Sequence, residues 1–102
     1  NEVNRYNFAV VVAQAAKVRR PVSGQVDLLV KGTFNGGKAE YSLAELNSEP
    51  PSPLNFRFRY FQDLGGVVDL PENFIPESIL VSVRTKKGPL VERSFPWSVE
   101  EV

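Results

Sequence analysis

Apolar residues fall on alternate positions over much of the chain. Leu54, Phe56, Phe58 and Tyr60 alternate with Asn55, Arg57, Arg59 and Phe61. Period two is the strand period, so residues 54–62 predict a strand with its aromatic face on a core and its arginines outside. Val26, Leu28, Val30 and Phe34 share one face of residues 25–34, with Gly32 in register and Asp27, Lys31 and Thr33 opposite. Between residues 6 and 13, Tyr6, Phe8, Val10 and Val12 share a face. Ala9 and Val11 make the other face apolar too, which predicts a central strand covered on both sides.

Turn residues separate these runs. Asn35-Gly36-Gly37 carries the clearest local signal, because Asn-Gly accepts the positive φ angles of a tight type I′ hairpin. A strand over residues 38–43 then returns beside the previous one, and residues 44–46 predict a short helical turn. Residues 14–20 extend the first strand as a basic edge; the helical propensity of residues 13–17 is cut short by Pro21. Glu49-Pro50-Pro51-Ser52-Pro53 is stiff and extended, and predicts a crossover. Gly65-Gly66 predicts a turn into a strand over residues 67–70. Residues 71–76 predict a loop pinned by Phe74 and Ile75. Strands over residues 79–85 and 90–97 complete the chain, with Pro96 setting the last at an edge or strand end.

Six to seven short strands and one Pro-rich crossover predict an all-β fold. The expected architecture is a two-layer antiparallel β-sandwich, immunoglobulin-like in general form. A small β-barrel is the alternative. At 102 residues the chain is expected to make one domain, residues 1–102.

Composition narrows the chemistry. Twelve basic residues balance twelve acidic ones, and the chain has no His, Cys or Met. Thiolate and imidazole metal sites, Cys nucleophiles and His-based triads are thereby excluded. Zero net charge disfavours nucleic acid, whose binding is driven largely by basic charge. The interleaved aromatics and arginines of residues 56–61 do not alter this, since alternation sends rings and guanidiniums to opposite faces. Asp63, Asp69, Glu72 and Glu77 could supply a catalytic carboxylate pair or a calcium site. No spacing brings them together, and the expected roles are surface carboxylates in turns, with no metal and no cofactor. The chain is expected not to be an enzyme.

Basic clusters at Lys17, Arg19 and Arg20 and at Lys86-Lys87 suit charged strand edges and hairpin tips, which block edge-to-edge pairing. Phe95-Pro96-Trp97 holds the single Trp. The candidate contacts for a partner or a glycan are Tyr41, Arg57, Arg59 and Trp97, with Tyr60 a further stacking ring.

Two segments carry a family resemblance. They are Phe-Arg-Tyr-Phe-Gln, residues 58–62, and Leu-Pro-x-x-Phe-x-Pro, residues 70–76. Together with Gly24, Val26, Leu28, Val30, Gly32, the Leu43 and Leu46 pair and Phe95-Pro96-Trp97, they resemble the C-terminal domain of an uncharacterised proteobacterial envelope family. The resemblance implies a short cytoplasmic N-terminus, one transmembrane helix and a coiled coil ahead of this domain. The start at Asn1, with no initiator Met, agrees with a piece of such a membrane-anchored chain. It implies a periplasmic domain of a bacterial inner-membrane protein, with the anchor outside residues 1–102. The family carries no established activity. The expected role is therefore an interaction or scaffold domain in cell-envelope assembly. Expected partners are an envelope or cytoskeletal-complex protein, such as the bactofilin system, and a second copy through the upstream coiled coil. A carbohydrate-binding module for peptidoglycan or another envelope glycan is the alternative.

Overall fold

The computed structural model describes residues 4–13, 20–46, 48–51, 53–86 and 88–98. Lys17, Arg19, Lys87 and residues 14–17 of the stretch with helical propensity lie outside the described residues. Among the described residues seven strands are formed: β1 (Asn4–Ala13), β2 (Val22–Phe34), β3 (Gly37–Ser42), β4 (Leu54–Phe58), β5 (Phe61–Leu70), β6 (Phe74–Thr85) and β7 (Val91–Pro96). They make two antiparallel sheets and no closed barrel. The fold is the two-layer β-sandwich that the alternating pattern predicts.

The smaller sheet holds only β1 and β5, paired from Asn4 opposite Leu70 to Ala13 opposite Phe61. The larger has the order β3-β2-β6-β7, with β4 also paired to β2. β2 is its spine. Along one side it takes β4 at Val22–Val26 and then β3 at Leu29–Phe34. Along the other it takes β6 over Gly24–Phe34.

Alternation turns one face of each sheet inward. Val26, Leu28 and Val30 of β2, Leu54, Phe56 and Phe58 of β4, Val68 and Leu70 of β5, and Phe74 are buried together. Leu43 and Leu46 join them from the segment after β3. That segment is a single helical turn, closed by Leu46 N–H donating to the Ser42 carbonyl at 3.1 Å. Ser42 and Glu45 cap it reciprocally: Ser42 N–H donates to Glu45 Oε1 (2.9 Å) and Glu45 N–H donates to Ser42 Oγ (3.4 Å). Burying a Leu or Val side chain contributes about 1.5–3 kcal/mol, so this cluster is the main source of stability.

The Asn35-Gly36 hairpin forms as expected, with φ of 50° and 87° at its two central residues. Other local expectations are corrected. Residues 54–62 are not one strand: Arg59 and Tyr60 make the crossing from β4 to β5, so they connect the two sheets. Tyr60 therefore leaves the core face and is 71% exposed.

Gly65-Gly66 is not a turn but the middle of β5, opposite Ala9 and Phe8. Gly66 is required there because the Phe8 ring and the Glu49 carbonyl occupy the space a Cβ would fill. Residues 74–76 are not loop but the start of β6, where Phe74 is buried and Ile75 is exposed. The ladder to β2 shifts between Lys31 and Gly32, leaving Glu77 without an opposite residue. This one-residue bulge changes the parity of β6. Phe74 and Pro76 before it and Ile79, Val81 and Val83 after it can then share the inner face.

β1 is not a covered central strand. Among the described residues it pairs only with β5, and Val11 on its outer face is 64% exposed.

Candidate functional site

The unequal strand count leaves part of the larger sheet uncovered. Two strands of one sheet face a path of four strands in the other. The inner residues of β7 are Val91, Arg93 and Phe95, opposite Val83, Val81 and Ile79 of β6. Val91 is 45% exposed and Phe95 51%. Between this face and β1 runs a groove of about 950 Å³, lined by residues 8–13 of β1 and by inward residues of β2, β4, β6 and β7. Thr85 and Arg93 are its polar members; the rest of the lining is apolar.

The groove has two different ends. Trp97, just past β7, donates its backbone N–H to the Glu77 carbonyl at 2.9 Å. Its ring meets Tyr6 of β1 edge-on, with centroids 5.2 Å apart and planes at 87°. This contact ties the two sheets together at the start of β1. Because β1 and β7 run in opposite directions across the groove, the other end lies near Ala13, Thr85 and Val91.

The strand edges differ as well. On the side of β5 away from β1, Val67 exchanges backbone hydrogen bonds with Glu49 (2.9 and 2.8 Å) and Asp69 N–H donates to the Leu46 carbonyl (3.2 Å). Ser48, buried beneath that segment, donates its hydroxyl to the Pro50 carbonyl at 2.9 Å. The side of β1 away from β5 has no strand partner among the described residues. One rim of the groove is thus an open strand edge.

The residues singled out from the sequence are spread over the molecule. Tyr41 lies on β3 opposite Val30, edge-on to Phe74 with centroids 5.0 Å apart. Arg57 lies on β4 opposite Ser23. Seven residues of β2 separate those positions, about 23 Å at the strand rise. Arg59 sits in the β4–β5 crossing. Trp97 is at the opposite edge of the larger sheet from Tyr41. These four residues do not form one surface and none of them lines the groove; Trp97 ties the sheets together just beyond its lining. The groove's own lining was missed because it depends on how many strands each sheet receives. The exposed Val11 and the paired apolar faces of β1 were its signal.

Asp63 and Asp69 do not converge on one site. Asp63 and Asp69 are six residues apart on the outer face of β5, about 20 Å at the strand rise. Asp69 accepts from Arg5 Nε at 2.8 Å and from Nη2 at 3.2 Å, across a directly opposed β1–β5 pair. This bidentate hydrogen bond, with the attraction of the guanidinium, holds the Asp69 carboxyl below its usual range and raises Arg5. Among the described residues no group of three or more metal-ligating side chains gathers, and no helix is long and apolar enough to cross a membrane.

A family model, described as a family of unknown function (DUF6776), matches residues 1–81 of the 102. The chain belongs to that family. The match takes in β1 to β5 and β6 as far as Val81, so the DUF6776 pattern includes the open edge of β1, while β7 lies beyond it. No curated protein and no solved structure matches the chain.

Proposed function

We propose that this DUF6776 domain is a non-catalytic interaction or scaffold module of the bacterial cell envelope. In this proposal it is the periplasmic part of a single-pass inner-membrane protein, carried on an upstream coiled coil that pairs two copies. The groove between β1 and β7 is the observation that supports it. A cleft that is apolar, long and open along a strand edge suits capture of another chain better than turnover of a small substrate. Pairing through a stalk would add avidity to a modest single-site affinity.

A glycan-binding role draws no support from Tyr41 and Trp97. Each is part-buried and packed against the core, so neither stands as an open stacking platform.

The test is site-specific photo-cross-linking in the full-length protein in its native membrane. A photoreactive residue at Val11 or Phe95 should give a discrete protein adduct. The same residue at Glu40, on the outer face of β3, should not. Adducts from Glu40 alone, or none from either groove position, would remove the proposal. So would hydrolytic turnover abolished by changing Asp63 or Glu77.

A further inference from the structure

The groove has the dimensions of one absent strand. Residues 8–13 of β1 line it over about 20 Å, six residues at the strand rise. A strand hydrogen-bonded to the free edge of β1 would lie about 4.8 Å from it, over the inner face of β6 and β7. Alternate side chains of that strand would then point at Val81, Val91 and Phe95. Both needs of an open β-sandwich, a partner for a bare edge and a cover for an apolar face, would be met at once.

Arg93 decides what such a strand must carry. It lies on the inner face of β7 between Val91 and Phe95, opposite Val81. Among the described residues it has no carboxylate partner. Its sequence neighbour Glu92 faces the other way, and accepts a hydrogen bond from Ser82 Oγ at 3.2 Å. Covering Arg93 with an apolar strand would strip water from a charge and return nothing. A carboxylate facing it would return a charge-assisted, two-pronged hydrogen bond.

A second copy pairing through its own β1 or β7 brings no such group. The inward residues of β1 are Tyr6, Phe8, Val10 and Val12, and those of β7 are Val91, Arg93 and Phe95. Neither of these two strands offers an acid on the face that meets Arg93, and paired β7 strands would bring two arginines together.

We infer that the groove takes an extended peptide of a different protein, added as a third strand beside β1, apolar on alternate residues and with an Asp or Glu facing Arg93. This rests on the interaction-module proposal and specifies its ligand. The probe is a displayed library of short random peptides, selected against the chain and separately against Arg93→Glu. Selection on the native chain should enrich alternating apolar residues with one acid among them. On Arg93→Glu that position should change to Lys or Arg, and the original peptides should lose about tenfold or more in affinity. Hydrogen exchange should show the β1 amides protected by the selected peptide. The amide dispersion of Arg93→Glu in an NMR spectrum checks that this exposed replacement leaves the fold intact.

A consensus without alternation, or one unchanged by Arg93→Glu, overturns the inference. Binders that protect another surface also overturn it, while leaving an interaction module standing. A peptide-free dimer with protected β1 amides gives the groove to a second copy, and overturns it. The absence of any binder, together with no adduct from Val11 or Phe95, removes both proposals.

Discussion

Tyr6 and Trp97 meet edge-to-face at 5.2 Å and join the first strand of one sheet to the end of the last strand of the other. Edge-to-face geometry sets the positive rim of one ring on the negative face of the other. Single replacements Tyr6→Leu and Trp97→Leu should each destabilise the chain. In a double-mutant cycle followed by urea unfolding, the pair should show a coupling of about 1 kcal/mol. A coupling near zero would mean that the groove is open at this end as well.

Much of the sandwich was legible because alternation is a local property. Leu54, Phe56 and Phe58 reach the core as their spacing predicts, and Asn35-Gly36 folds the expected hairpin. The failures occur where a long-range contact overrides a local signal. Gly65-Gly66 has turn composition, but the second glycine makes room for Phe8 across the strand. Tyr60 continues the period of Phe56 and Phe58, yet the chain changes sheets at that point. The bulge at Glu77 reverses parity, which no fixed period reveals. The groove arises from a count of strands per sheet, and the two apolar faces of β1 suit a buried centre as well as an edge that awaits cover.

The two glycines of β5 should respond differently to the same change. A Cβ at Gly66 would strike the Phe8 ring and the Glu49 carbonyl, whereas at Gly65 the nearest atom is the Phe8 carbonyl oxygen at 3.1 Å. Gly66→Ala should cost about 1–3 kcal/mol through overpacking, and Gly65→Ala clearly less. Equal effects in urea titration would contradict a strand that runs through both.

Gly36 holds a φ of 87° at the tip of the β2–β3 hairpin, with open space around it. Gly36→Ala meets no neighbour, so its cost is backbone strain alone, about 1 kcal/mol. Gly36→Asn should recover part of the loss, because Asn tolerates the left-handed region. Thermal unfolding of the two variants checks the order.

The Arg5–Asp69 pair gives stability a dependence on acid. The folded state holds the Asp69 carboxyl below its unfolded value, so the pair stabilises the fold fully above the unfolded pKa, near 4. That contribution falls as pH drops through the depressed folded value. Asp69→Asn should lower the urea midpoint at neutral pH and make progressively less difference below about pH 4. Added salt should shrink the neutral-pH difference, because Arg5 is exposed and the pair is screened by water and ions. A difference that persists in strong acid would assign the effect of Asp69 to something other than its charge.

Whether the groove stands open in the free protein can be read from the stability of its wall. Phe95 is large and apolar, but half of its surface faces solvent and no strand of the smaller sheet covers it. Leu70, on the covered side of the same sandwich, is fully buried. Leu70→Ala should cost about 2–5 kcal/mol, the range for removing a core side chain. Phe95→Ser should cost clearly less, about 1–1.5 kcal/mol, since only half of the side chain is buried and no cavity is left. The variant should also be more soluble than the native chain, because it breaks an exposed apolar face beside an open strand edge. If Phe95→Ser were as damaging as Leu70→Ala, the two sheets would have to close over β7 in solution, leaving β1 no face onto which an added strand could pack. A small loss of stability together with a large loss of photo-adduct from Val11 would instead separate the groove's part in folding from its part in binding.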